Sequence, residues 1–86
     1  MLEQHQLPTQ KIHVPVKRQK TLDPDKVQAL AEDMLENGQQ TPIRCRLDTK
    51  GKEPKLILVE GYHRLEAARA LGEATITSYL VQARVR

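Results

Sequence analysis

Apolar and polar residues change period several times along the chain, and each change marks an element. Lys11 to Val16 alternates, with Ile12, Val14 and Val16 on one side. That pattern predicts a short strand, at a sheet edge because Pro15 cannot donate to a ladder. Lys17-Arg-Gln-Lys20 reads as a basic loop. From Asp23 the period becomes helical. Asp23 is a candidate N-cap, Pro24 suits the first helical position, and Val27, Leu30, Ala31, Met34 and Leu35 share one face. Glu32, Asp33 and Glu36 lie off that stripe, and Gly38 stands where a left-handed cap ends a helix.

After a connection over residues 39–42, Ile43 to Leu47 alternates strictly and reads as a strand. Turn formers fill residues 48–54. Lys55 to Val59 is an uninterrupted apolar strand, expected at the centre of the sheet and joined to its predecessor as a hairpin with a long loop. Glu60-Gly61 breaks it. A second helix starts near Tyr62, buries Leu65, Ala68 and Leu71, and ends at Gly72. Residues 74–81 form a last strand. The polar stretch from Met1 to Gln10 reads as a loose arm, leaving residues 11–86 as one domain. The order is strand, helix, strand, strand, helix, strand, with no repeat.

Composition narrows the function. With 86 residues there is room for one small core, and without Trp or Phe it must be built from Leu, Ile, Val and Ala. Two tyrosines are too few for the aromatic platforms of single-strand binders. The net charge of +3 suits an anionic ligand without demanding one. No apolar run is long enough to span a bilayer, and the N-terminus lacks the apolar core of a secretion signal. A single cysteine, Cys45, excludes an internal disulfide and is expected as a buried structural thiol. The expected compartment is the cytoplasm. His5 and His13 are not spaced with His63 as a metal site.

Charge placement is more informative than net charge. A helix N-terminus already carries partial positive charge and free N–H groups, and cations there are unfavourable unless something compensates. Both predicted helices put cations in the first turn: Lys26 in one, His63 and Arg64 in the other. Asp23 and Asp25 flank Lys26, so it can equally be a solvated charge. A strand ending in Glu60-Gly61 and feeding a helix that opens Tyr62-His63-Arg64 is a physical recipe for an anion site. Glycine permits close approach, the helix end supplies donors, and arginine grips phosphate through a planar fork. The competing reading is a basic turn in solvent.

The segment Glu60-Gly-Tyr-His-Arg-Leu-Glu-Ala-Ala-Arg69 resembles the phosphate motif shared by ParB N-terminal domains and sulfiredoxins. Gly61, His63 and Arg64 match the sulfiredoxin pattern Gly-Gly-Cys-His-Arg. Leu22-Asp-Pro-Asp-Lys-Val-Gln-Ala-Leu30 is similar to the sulfiredoxin stretch Leu-Asp-Pro-x-Lys-Val-Gln-x-Leu, and Gly38-Gln-Gln-Thr-Pro-Ile43 resembles the ParB stretch Gly-x-x-Gln-Pro-Ile, with Thr41 in place of Gln. The resemblance spans residues 11–82. It implies an α+β fold, a small mixed sheet packed against helices, in agreement with the element order. It also implies ATP or another nucleoside triphosphate as ligand, with or without Mg2+. Gly61, Tyr62, His63, Arg64 and Lys26 would surround the phosphates, with Lys17, Arg18 and Thr41 as further candidates.

Departures from the family set the functional expectation. Sulfiredoxins attack a phosphoryl ester of their peroxiredoxin partner with the cysteine before His-Arg. Here Tyr62 stands there, and a phenol does not replace a thiolate nucleophile. Ala29 and Asp33 replace polar residues that sulfiredoxins use near the nucleoside. Tyr62 either stacks on a base or sugar or packs beside its helix. Glu60 is the one catalytic candidate, as base, magnesium ligand or partner of His63, and is otherwise a solvated carboxylate. Three readings follow: nucleotide binding, with or without hydrolysis, in the absence of the sulfiredoxin cysteine; phosphoryl transfer or ATP-dependent sulfiredoxin-like catalysis; and a DNA-associated module that holds DNA only weakly. A protein partner is compatible with each.

Overall fold

A computed structural model describes residues 3–39 and 41–81. Five strands form one mixed sheet in the order β1-β5-β3-β4-β2: β1 Glu3–Pro8, β2 Ile12–His13, β3 Ile43–Asp48, β4 Lys55–Glu60 and β5 Thr75–Val81. The β1–β5 and β3–β4 pairs are antiparallel, and β3–β5 and β2–β4 are parallel. Among the described residues three α-helices complete the fold, α1 Val16–Gln19, α2 Pro24–Asn37 and α3 Tyr62–Ala70, with a single 3-10 turn over Thr9–Lys11. Helix α3 lies against β3 and β5, and α2 lies against α3. The expected α+β architecture is the observed one.

The core is aliphatic, as the composition required. Leu7, Ile12, Val14, Ile43, Leu58, Leu65 and Ile76 are buried together, with Met34 and Tyr62 packed against them. Both helix ends of α2 match their sequence signals. Asp23 Oδ1 accepts a hydrogen bond from the Asp25 amide at 3.0 Å, Pro24 opens the helix, and Gly38 ends it at φ 73°.

Several expectations need correction. The stretch read as a loose arm contains β1, an edge strand registered with Gln6 opposite Thr77 and Leu7 opposite Ile76. Only Leu7 of that strand is buried. Its polar residues pair across the sheet instead, Gln6 with both Thr77 and Thr75. Met1 and Leu2 lie outside the described residues, as do Gln40 and residues 82–86. The strand expected over residues 11–16 is reduced to Ile12–His13. Pro15 ends it, the supposed basic loop winds into α1, and Val16, expected on the inner face, is 69% exposed. Strand β4 is second from the edge, and β3 holds the centre. Leu35, assigned to the buried stripe of α2, is 75% exposed, and no residue of α2 is fully buried.

Two polar ties hold irregular backbone to the sheet. Arg69 of α3 donates through Nε and Nη2 to the Thr9 carbonyl (3.1 and 2.9 Å) and through Nη2 to that of Ile12 (2.8 Å), while Nη1 pairs with Glu66 at 2.6 Å. The buried Thr9 hydroxyl donates to the Glu73 carbonyl at 2.7 Å. On the far side, Gln39 uses its side-chain amide as a piece of strand. It donates to the Thr77 carbonyl at 2.8 Å and accepts from the Thr77 amide at 2.8 Å.

Cys45 is fully buried at the sheet centre, as expected for a structural thiol. Burial pushes its pKa up, against a smaller downward pull from its hydrogen bond with Ser78. The fold therefore favours the neutral thiol. That contribution is complete below the ordinary thiol value, about 8.5, and is lost as pH rises through the elevated folded value. A disulfide reagent should react with the native protein far more slowly than with the urea-unfolded chain. Equal rates would show that Cys45 is accessible.

Candidate functional site

The site grows from the junction of β4 and α3. Gly61 sits there at φ 105°, a left-handed conformation that side chains avoid, and a Cβ on it would lie 2.5 Å from Ile43 Cγ2. This close packing lets the chain turn straight from the sheet into α3. The first intrahelical bond runs from the Leu65 amide to the Gly61 carbonyl at 2.9 Å, and glycine brings no capping side chain. The amides of Tyr62, His63 and Arg64 are thus left without intrahelical acceptors at the positive end of the helix dipole.

A second helix end meets the first. The Asp23 amide, at the start of α2, donates to His63 Nε2 at 3.0 Å. To accept there, Nε2 must be unprotonated, which leaves Nδ1 as the ring donor. The histidine therefore ties together the two helix N-termini. The Tyr62 ring lies beside it, with centroids 6.1 Å apart.

Between these elements lies a cavity of about 530 Å³. Gly61, Tyr62, His63 and Arg64 form one wall, and Lys26, Ala29, Leu30 and Asp33 of α2 form another. Arg18 and Thr21 close it from the α1 side. Three cations, Lys26, Arg64 and Arg18, thus face one carboxylate, Asp33. Glu66 does not offset them, because its carboxylate is engaged by Arg69. The arrangement is chemically a cradle for a polyanion, with apolar surface from Ala29 and Leu30 beside it.

The structure gathers Lys26, Gly61, Tyr62, His63, Arg64 and Arg18 at this cavity. It does not bring Lys17, Thr41 or Glu60 to its lining. Thr41 is exposed, and its carbonyl accepts from Gln39 at 2.9 Å. Glu60 lies 3.7 Å from Arg44 instead. Thr21 and Leu30 are lining residues that the sequence reading passed over. For Leu30 the signal was available: Lys26, Ala29, Leu30 and Asp33 follow the i, i+3, i+4, i+7 spacing of one helix face. Among the described residues, no group of three or more His, Cys, Asp and Glu side chains could hold a metal ion. No described helix is long and apolar enough to cross a membrane.

Comparison with known proteins identifies the fold and the family. The family profile described as ParB N-terminal domain matches residues 2–86. Among solved structures, sulfiredoxin from Arabidopsis thaliana is 30% identical, with TM-score 0.79 over 94% of this chain and 86% of that one. The C-terminally truncated chromosome-partitioning protein ParB from Caulobacter crescentus, complexed with CTP-gamma-S, is 19% identical, with TM-score 0.75 over 98% of this chain and 46% of that one. A Pnob8-like ParB-N domain is 17% identical, with TM-score 0.72 over 96% of this chain and 30% of that one. The two ParB likenesses are likenesses of fold, and this chain spans less than half of either protein. A search of curated proteins finds no match. With nearly its whole length matched, the chain belongs to the ParB N-terminal domain family.

Proposed function

We propose that this domain binds a nucleoside triphosphate in the cavity between α2 and α3. The observation that carries the reading is the convergence of an uncapped helix N-terminus with Lys26, Arg64 and Arg18 on one concave surface. The phosphates sit against the amides of residues 62–64. The nucleoside extends along Ala29 and Leu30, with Asp33 at the end away from the phosphates because its carboxylate repels them. That Caulobacter ParB, a protein of the same fold, is complexed with CTP-gamma-S supports the ligand class. The compartment this reading implies is the cytoplasm. Binding is favoured over phosphoryl transfer because Glu60, the candidate base, is directed to Arg44 rather than into the cavity.

Calorimetric titration with ATP, CTP and GTP, each with and without magnesium, tests the proposal. The expected result is saturable binding of at least one nucleotide by the wild type. Arg64→Ala and Lys26→Ala should each weaken it roughly tenfold to a hundredfold, the scale of a lost charge-assisted contact. Both side chains reach the cavity surface, so the variants should remain folded. If the folded wild type binds none of the nucleotides, the proposal is wrong. If the variants bind as tightly as the wild type, the phosphates lie elsewhere.

A further inference from the structure

Helix α2 has two working faces, and only one borders the nucleotide cavity. Its fourteen residues include none that is fully buried, although its sequence is amphipathic. Val27, Ala31, Leu22 and Ala70 line a second groove, of about 560 Å³, between α2 and α3, whose charged lining residues, Glu66 and Arg69, neutralise each other in an ion pair. Leu35 lies one helical turn beyond Ala31 and is 75% exposed. The groove and the exposed Leu35 together give α2 an apolar surface that no described element covers.

Charge identifies the occupant. The chain as a whole carries a net charge of +3, yet α2 holds four carboxylates (Asp25, Glu32, Asp33 and Glu36) against one cation, Lys26. Exposed Glu32, three residues before Leu35, is its neighbour on the helix surface, and exposed Glu36 follows one turn beyond Glu32, so the stripe has an acidic border. A second copy docking through the same face would set carboxylates against carboxylates, which disfavours self-association there. An anionic lipid surface or nucleic acid is disfavoured for the same reason. A partner with apolar residues on one helix face and lysine or arginine beside them satisfies both the stripe and its flank.

We propose that the outer face of α2, with the groove beside it, docks a cationic amphipathic helix from a protein partner. The proposal stands whether or not the cavity on the opposite side takes a nucleotide.

The test uses the whole chain and a peptide of leucine and lysine patterned as an amphipathic helix, at physiological salt. Two control peptides are a scrambled version and a leucine–glutamate version. Fluorescence anisotropy should show binding of the leucine–lysine helix and weaker or no binding of both controls. Amide chemical shifts should move along residues 22–36. Leu35→Ser, at an exposed position that leaves folding intact, should weaken binding about tenfold or more, as should the Glu32→Lys/Glu36→Lys double variant. Equal binding of patterned and scrambled peptides would overturn the proposal. So would unchanged affinity in both variants, or a wild-type dimer that Leu35→Ser dissociates.

Discussion

Gly61→Ala should destabilise the protein by about 3 kcal/mol, lowering the melting temperature by on the order of 15 °C for a domain this size. Two separate costs combine. An alanine at φ 105° is strained by its own backbone, and its Cβ would lie 2.5 Å from Ile43 Cγ2 and 2.8 Å from Ile43 Cβ. Ile43 is itself only 1% exposed, so it has nowhere to retreat without disturbing the sheet centre. Ile43→Ala removes Cγ2 but not Cβ. In the double variant the Gly61→Ala cost should shrink without vanishing, and the two changes should be strongly non-additive. Urea denaturation of the four proteins measures this directly. A Gly61→Ala midpoint equal to that of the wild type would show that the β4–α3 junction can relax, and that the helix N-terminus at the cavity is not held in place as described.

Arg69→Met should cost about 2–3 kcal/mol. The guanidinium satisfies the carbonyls of Thr9 and Ile12 and the carboxylate of Glu66, and methionine satisfies none of them. Its side chain is 25% exposed, so water can reach part of the vacated space, which keeps the loss below that of a fully buried ion pair. Arg69→Lys retains the charge but not the fork, and should recover less than half of the stability. Hydrogen exchange discriminates this tie from a general loosening. The Thr9 amide, bonded to the Ala74 carbonyl at 3.0 Å, should lose protection before the amides of β3 do. Uniform loss across the sheet would mean that Arg69 acts on the global core and not on the β1–β2 connection.

Legibility in the sequence followed the range of the interactions. Helix α2 could be read because its signals are local: Asp23 and Pro24 at one end, Gly38 at the other, and a helical period between. The hairpin of β3 and β4 was equally readable from alternation and turn formers. Strand β1 was not, because its stability comes from partners about seventy residues away, and only Leu7 carries a hydrophobic signal. The same division runs through the site. His63, Arg64 and Lys26 stand out as cations at helix starts, against the preference of the dipole, and Gly61 as the break before one of them. The bond from the Asp23 amide to His63 spans forty residues, and no local pattern encodes it. Leu30 has the spacing of the cavity face, but an apolar residue lining a cavity looks in sequence like one filling a core. Leu35 was misplaced for a related reason: periodicity finds the apolar face of a helix but not whether anything covers it.

The pairing of β1 with β5 has an outcome for the topology of the chain. Glu3 is registered opposite Leu80, so the two ends of the described sheet lie side by side on neighbouring strands. The path of the described residues therefore nearly closes on itself, with one seam between Glu3 and Leu80. A short linker across that seam, with new termini cut in the exposed turn over residues 49–54, would give a circular permutant that keeps every strand pair. By the same geometry a host protein joined to this sheet at Glu3 and Leu80 would need attachment points only about a strand's width apart.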